Sequence, residues 1–146
     1  MSNIDVAKAA LAAYSAGDGA GIRAVTTEDF TLSGPVPQPL NREQFVALAI
    51  GSTTAFPDWN FNARDYREVG TQVLITIQIT GTHTGTLAII PEVPPVPPTG
   101  SKITQPVEQL TLTMRDGKIA QLVVTAGPDG GVPGLYARVG HPLQHG

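Results

Sequence analysis

The chain has no cysteine, which excludes disulfide staples, thiolate zinc sites and cysteine nucleophiles. Charge is sparse: Asp, Glu, Lys and Arg make up 14% of the residues, where about 25% is usual. Nine basic residues against 12 acidic ones leave a formal net charge of −3. That balance offers nothing to a phosphate backbone, so no nucleic-acid partner is expected. No apolar run approaches the roughly 18 residues a membrane helix needs. Met1 to Asp5 carries no basic stretch followed by an apolar one, so no secretory signal is read there. The expectation is a cytoplasmic protein with no membrane partner. The three histidines, His83, His141 and His145, lie apart with no neighbouring carboxylate pattern, so no metal is expected. No glycine-rich turn opens a helix after a strand, and Gly17, Gly19 and Gly21 follow a helix instead, so no nucleotide cofactor is expected. Ser15, Ser33, Ser52 and Ser101 lack the context of an activated nucleophile.

What remains is a foldable chain. It has 146 residues, 41% of them hydrophobic, enough for one domain with a real core. Residues 1–140 read as that domain and residues 141–146 as a flexible tail. Ser2 or Asn3 can cap a first helix, with Ile4, Ala7, Leu11 and Tyr14 at helical spacing. A short helix over Gly19 to Val25 follows. Thr26 to Asp29 reads as a turn and Phe30 to Ser33 as a short strand. Pro35, Pro37 and Pro39 forbid regular pairing. Asn41 with Gln44 is a capping-box pattern for a third helix that Pro57 stops. Strands then dominate: Asn60 to Val69, Thr71 to Thr86 with Val73, Ile75, Ile77 and Ile79 on one face, Lys102 to Arg115, and Lys118 to Thr125. Asp116-Gly117 is a hairpin turn. Pro91 to Pro98, five of eight residues proline, is a stiff loop that can dock on an aromatic groove, cover a site or reach another subunit. A last short helix is expected over Pro133 to Val139. Helices first and antiparallel strands after predict an α+β fold with helices packed on one face of a curved sheet.

Four segments carry a resemblance: Ala55-Phe56-Pro57-Asp58-Trp59, Gly81-Thr82-His83-Thr84-Gly85, Pro97-Pro98-Thr99-Gly100 and Arg115-Asp116-Gly117-Lys118-Ile119. Their order and spacing, with a closing helix over Gly134 to Gly140, resemble the SnoaL-like polyketide (ester) cyclases of the nuclear transport factor 2-like superfamily. The resemblance implies a cone-shaped α+β barrel, with about three N-terminal helices on the concave face of a curved antiparallel sheet. It also implies ring closure on an apolar polyketide ester, without metal or cofactor, by an aspartate acting as acid and base. Counted from the Asp116-Gly117 turn, the position matching that aspartate holds Val124. The positions matching the family's glutamine and histidine hold Glu108 and Leu110. The chain departs from the pattern at all three, unless a gap near Gly127 to Gly131 brings Asp129 to the mouth.

Glu108 is the sharpest candidate for chemistry. Period-two spacing puts it on one face with Leu110, Leu112 and Met114. A carboxyl on an apolar face should have a raised pKa and can serve as acid or base; a shift of strand phase would turn it to solvent or an ion pair instead. His83 is a weaker candidate, since its segment reads as a bend. Tyr14, Phe30, Leu48, Phe56, Trp59, Leu110, Leu112 and Val124 are expected to line an apolar pocket for a small hydrophobic molecule. Three readings stay open. One is an enzyme of cyclase or isomerase type using Glu108, and another is a binder that has lost the chemistry. The third is an interaction module, with a homodimer expected through the polar sheet face of Thr76, Gln78, Thr80, Thr111 and Thr113.

Overall fold

A computed structural model describes residues 2–34, 38–127 and 129–143. The expectations for Pro35, Pro37, His145 and the last residues of the tail lie outside that range.

Helix α1 runs over Asn3–Ser15, α2 over Gly19–Val25 and α3 over Arg42–Ala55. The side chains read as caps do that work. Ser2 Oγ accepts from the Asp5 N–H at 3.1 Å. Asn41 and Gln44 bond each other's backbone N–H reciprocally at 2.8 Å, satisfying two of the donors that a helix start leaves free. Helix α1 buries Val6, Ala7, Ala10, Ala13 and Tyr14, while Ile4 and Leu11 stay half-buried.

Strands β1 (Thr26–Ser33), β2 (Leu40–Asn41), β3 (Arg64–Val69), β4 (Gln72–Ile77), β7 (Glu108–Arg115) and β8 (Lys118–Thr125) make one six-stranded sheet, ordered β2-β1-β8-β7-β4-β3. Strands β5 (Thr80–Thr82) and β6 (Lys102–Thr104) pair as a separate ribbon. Pairing is antiparallel throughout except for β1 with β8. A closing helix, α4, covers Gly131–Arg138. The result is mixed α+β: among the described residues, four helices and a curved, mostly antiparallel sheet. The helices bury their apolar stripes on the sheet's inner side, with Val73, Ile75, Leu110, Leu112 and Leu122 beneath them.

Several expected boundaries change, each for a tertiary reason. Thr26 to Asp29 is not a turn but the first half of β1: Thr26 pairs with Ile119 of the parallel partner β8, and pairing resumes at Thr31 after a bulge. The strand expected from Asn60 begins only at Arg64. Asn62 and Asp65 sit at φ 48° and 56°, and only Asn60 bridges, to Thr80. Asp116 and Gly117 both take positive φ, 53° and 75°, which is the two-residue hairpin geometry that matches strand twist.

The two long strands are each broken once, opposite one another. Ile77 faces Glu108 and Thr80 faces Thr104, so two residues (78–79) stand against three (105–107). That extra residue is a β-bulge, and it includes Pro106, which has no N–H to give a ladder. The bulge turns the β5–β6 ribbon away from the sheet and shifts side-chain parity along the strand that leads into β7.

The proline loop does not float free. Leu87 and Val96 bond each other's backbone at 2.9 Å in both directions, and both side chains are buried. Ile89 packs against Gly51 of α3, and its N–H meets the Tyr136 hydroxyl of α4 at 3.3 Å.

Candidate functional site

Inside the curve of the sheet, under the helices, lies a cavity of about 100 Å³. Helix α1 contributes Leu11 and Tyr14, and α3 contributes Phe45, Leu48 and Ser52. The turn after α3 adds Trp59 and Phe61, and the strands add Phe30, Leu32, Ile77, Leu110, Leu112, Leu122 and Val124. Val132 and Leu135 of α4 close one side. The lining is almost wholly apolar, so its few polar atoms stand out. They belong to Glu108, Gln105, Trp59, and the Tyr14–Ser52 pair whose hydroxyls lie 2.9 Å apart.

Glu108 is 2% exposed, and among the described residues it forms no salt bridge. Its Oε1 is buried without a hydrogen-bond partner among those residues. Neither the solvent nor the ion-pair alternative describes it. Loss of water pushes its carboxyl above the ordinary carboxylate range; the nearby Gly131 amide and the Arg138 guanidinium act the other way. The Arg138 guanidinium is held by backbone carbonyls, at 3.0 Å from Thr104 and 2.6 Å from Asp129.

The register of β7 with β8 sets Leu110 directly opposite Val124. Glu108, Leu110 and Val124, the three positions that the resemblance matches to a glutamine, a histidine and an aspartate, all line this one cavity. Two of the three are hydrocarbon. Asp129 is exposed and lies outside the cavity lining, so a shifted loop does not supply the missing aspartate.

Two expected residues fall outside. Phe56 is fully buried but caps the end of α3, with Gly81 against its Cβ, so it packs beside the cavity rather than lining it. His83 is also fully buried and away from the lining. Its Nδ1 meets the Thr99 hydroxyl at 2.8 Å and accepts the Thr99 N–H at 3.2 Å, and its ring lies 5.4 Å from Phe56. Burial lowers its pKa, which favours the neutral ring. Its place is structural: it holds β5 to the loop that leads into β6. Asp58 completes the same junction, accepting from both the N–H and the hydroxyl of Thr82 at 2.7 Å. Three of the four segments that carried the resemblance therefore form one interlocked corner of the fold. The proline loop contributes nothing to the cavity wall either.

Sequence reasoning missed Gln105. Strict alternation puts it on the face opposite Glu108; the bulge at 105–107 brings both inside, and Gln105 is 1% exposed. Its amide Nε2 donates to the Gly131 carbonyl at 2.8 Å, tying β7's approach to the start of α4. Pro106 was the available signal. Phe45 and Phe61 line the cavity beyond the residues expected there, and so does Ser52; a serine inside a helix has no pattern that marks a cavity.

Solved structures share this architecture. A protein provisionally described as a SnoaL-like polyketide cyclase, from Jannaschia sp. CCS1, is 18% identical with a TM-score of 0.74, covering 96% of this chain and 93% of that one. IdmH from Streptomyces antibioticus, provisionally described as a polyketide cyclase, is 22% identical with a TM-score of 0.69 over 85% and 91%. A protein of ketosteroid isomerase-like fold from Catenulispora acidiphila DSM 44928, solved with trimethylamine, is 14% identical with a TM-score of 0.68 over 94% of each chain. At these identities the likeness establishes the fold, a cone of the nuclear transport factor 2 type. No curated protein matches the sequence. The SnoaL-like domain model matches residues 7–122, from α1 into β8 and through most of the cavity wall, and the chain belongs to that family.

Proposed function

We propose that this chain binds a small, uncharged, largely apolar carbonyl compound in the cone cavity and moves a proton at the carbon beside the carbonyl, with Glu108 as the acid–base group. One observation carries the reading. Glu108 holds a carboxyl oxygen that is buried and unpartnered among the described residues, in a cavity walled mostly by hydrocarbon and aromatic rings. A carboxyl of raised pKa is a better match to a weakly acidic carbon than an ordinary one, because its conjugate base holds a proton more firmly. In the step proposed, the Glu108 carboxylate takes the proton from the α-carbon. The C–H electron pair moves into the C–C bond, and the carbonyl π pair moves onto oxygen as an enolate. Return of the proton to the same or another carbon completes exchange or isomerisation, with no external reactant. The cavity is smaller than the roughly 150 Å³ site that takes benzene, so a single ring is the upper limit of the size expected.

A second reading rests on Leu110 and Val124, which stand where the cyclases carry a histidine and an aspartate: binding without chemistry. One experiment separates the two. Cyclohexanone in D₂O is followed by NMR for loss of its α-protons, with the protein and with Glu108→Gln. Exchange above the buffer rate, lost by about 10²–10⁴-fold in the variant, is the expected result. Binding without exchange favours the second reading, and equal exchange by both proteins removes Glu108 from the chemistry.

A further inference from the structure

The cavity has a second polar pole that the proton transfer alone does not use. Trp59 is 6% exposed and lines the cavity, and its indole Nε1–H is buried without an acceptor among the described residues. Beside it, ring to ring at 5.5 Å, stands Tyr14, whose hydroxyl lies 2.9 Å from that of Ser52. Those two hydroxyls own two hydrogens. Their mutual bond uses one, and neither meets another acceptor among the described residues, which leaves one O–H to give. An unpaired donor in such a setting costs stability, and a ligand acceptor would relieve it. Two free donors on the helix side and a free carboxyl oxygen on β7 give the cavity a direction.

We infer that Trp59 Nε1–H, assisted by the Tyr14–Ser52 pair, is the anchor for the ligand's carbonyl oxygen. A carbonyl oxygen has two lone pairs and can accept from both. Held there, its adjacent carbon is left to face β7 and Glu108. The same donors would strengthen their hold as charge develops on that oxygen, which is how fixed donors aid enolate formation. The ligand class narrows accordingly: a one-ring compound needs an acceptor at one end, and a plain hydrocarbon of the same shape leaves both donors unpaired. The inference rests on the cavity reading proposed above, and its test reads binding alone, without the proton transfer.

The test uses the chain's sole tryptophan. In ¹⁵N-labelled protein, Trp59 gives the only indole N–H cross-peak. Cyclohexanone is titrated against methylenecyclohexane, which has nearly the same shape and no oxygen acceptor. The ketone is expected to move the indole proton downfield and to bind at least about tenfold more tightly, a difference that Trp59→Phe should reduce to threefold or less. Methylenecyclohexane should leave the indole proton unshifted in the downfield direction. If both compounds perturb the cavity resonances alike, with equal affinity and no downfield indole shift, the anchor is wrong while the cavity reading survives. If the ketone preference survives intact in Trp59→Phe, the anchor is likewise wrong. If neither compound perturbs any cavity residue, both the anchor and the cavity reading fall.

Discussion

At the scale of single residues, the cavity sets Glu108 apart by what surrounds it rather than by what it touches. Its folded pKa lies above its unfolded one because burial removes water from the charged form. The sign of the linkage follows. The neutral acid is compatible with the core, so the contribution of this group is fully present below its unfolded pKa and is lost as pH rises through the folded pKa. Glu108→Gln, which cannot ionise, should escape that loss. Thermal melts of both proteins between pH 4 and pH 8 should show the wild type falling behind the variant as pH rises. Parallel curves would show that Glu108 does not titrate in a water-poor site. Comparing the two proteins cancels His83, whose lowered pKa gives a contribution of the opposite sense, present above its unfolded pKa and lost on acidification. It also cancels Asp58 and Asp29, held low by Thr82 and Arg115 respectively.

At the scale of elements, the corner where α3 meets β5 explains why certain segments look the way they do. The Gly85 and Thr84 N–H groups both donate to the Ala55 carbonyl at 3.1 Å, so the strand end presses on the helix end backbone to backbone. A Cβ on Gly85 would sit 1.8 Å from the Thr54 carbonyl oxygen. No side-chain rotation relieves that contact, and Gly85→Ala should cost about 3 kcal/mol or more; a denaturant titration with a midpoint close to wild type would contradict it. The helices were legible in the sequence because their starts are chemical: Ser2 with Asp5, and Asn41 with Gln44. The strand cores were legible because period-two alternation survives wherever one face is buried. What escaped is what depends on a partner strand. Thr26 to Asp29 has no alternation of its own and becomes a strand only because β8 lies beside it. Gln105 has the wrong parity for the inside, and only the mismatch of three residues against two corrects it. Phe56 and Trp59, two residues of one motif, read alike as aromatics. The turn at Pro57 sends one behind the cavity and the other into its wall.

At the scale of the molecule, every helix that lines the cavity lies on one side of the sheet, and no helix among the described residues covers the other. The registers arrange that outer face in three cross-strand rows: Thr76, Gln109 and Thr125; Leu74, Thr111 and Val123; Gln72, Thr113 and Gln121. None of these nine carries a charge; the rows run on to Arg64 and Arg67 only at the edge strand β3. In a chain of net charge −3, such a patch can meet a copy of itself without setting like charges against each other. Two rows are polar and can hydrogen-bond across a two-fold axis, as Thr76 and Gln109 already do within one copy at 3.1 Å. The middle row offers Leu74 and Val123 as apolar contact. We therefore propose that two copies pack sheet to sheet through this face, with Thr111 near the centre of the contact. No cavity residue belongs to it, so assembly and ligand binding should be separable. Light scattering behind a sizing column is expected to give twice the chain mass of 15.2 kDa. Thr111→Arg should bring it to the single mass, because two arginines would face each other across the axis. On a lone sheet surface the same substitution should alter stability by no more than about 0.5 kcal/mol. A wild type that runs at the single mass at tens of micromolar, or a Thr111→Arg protein that stays at the double mass, would remove this face from the assembly.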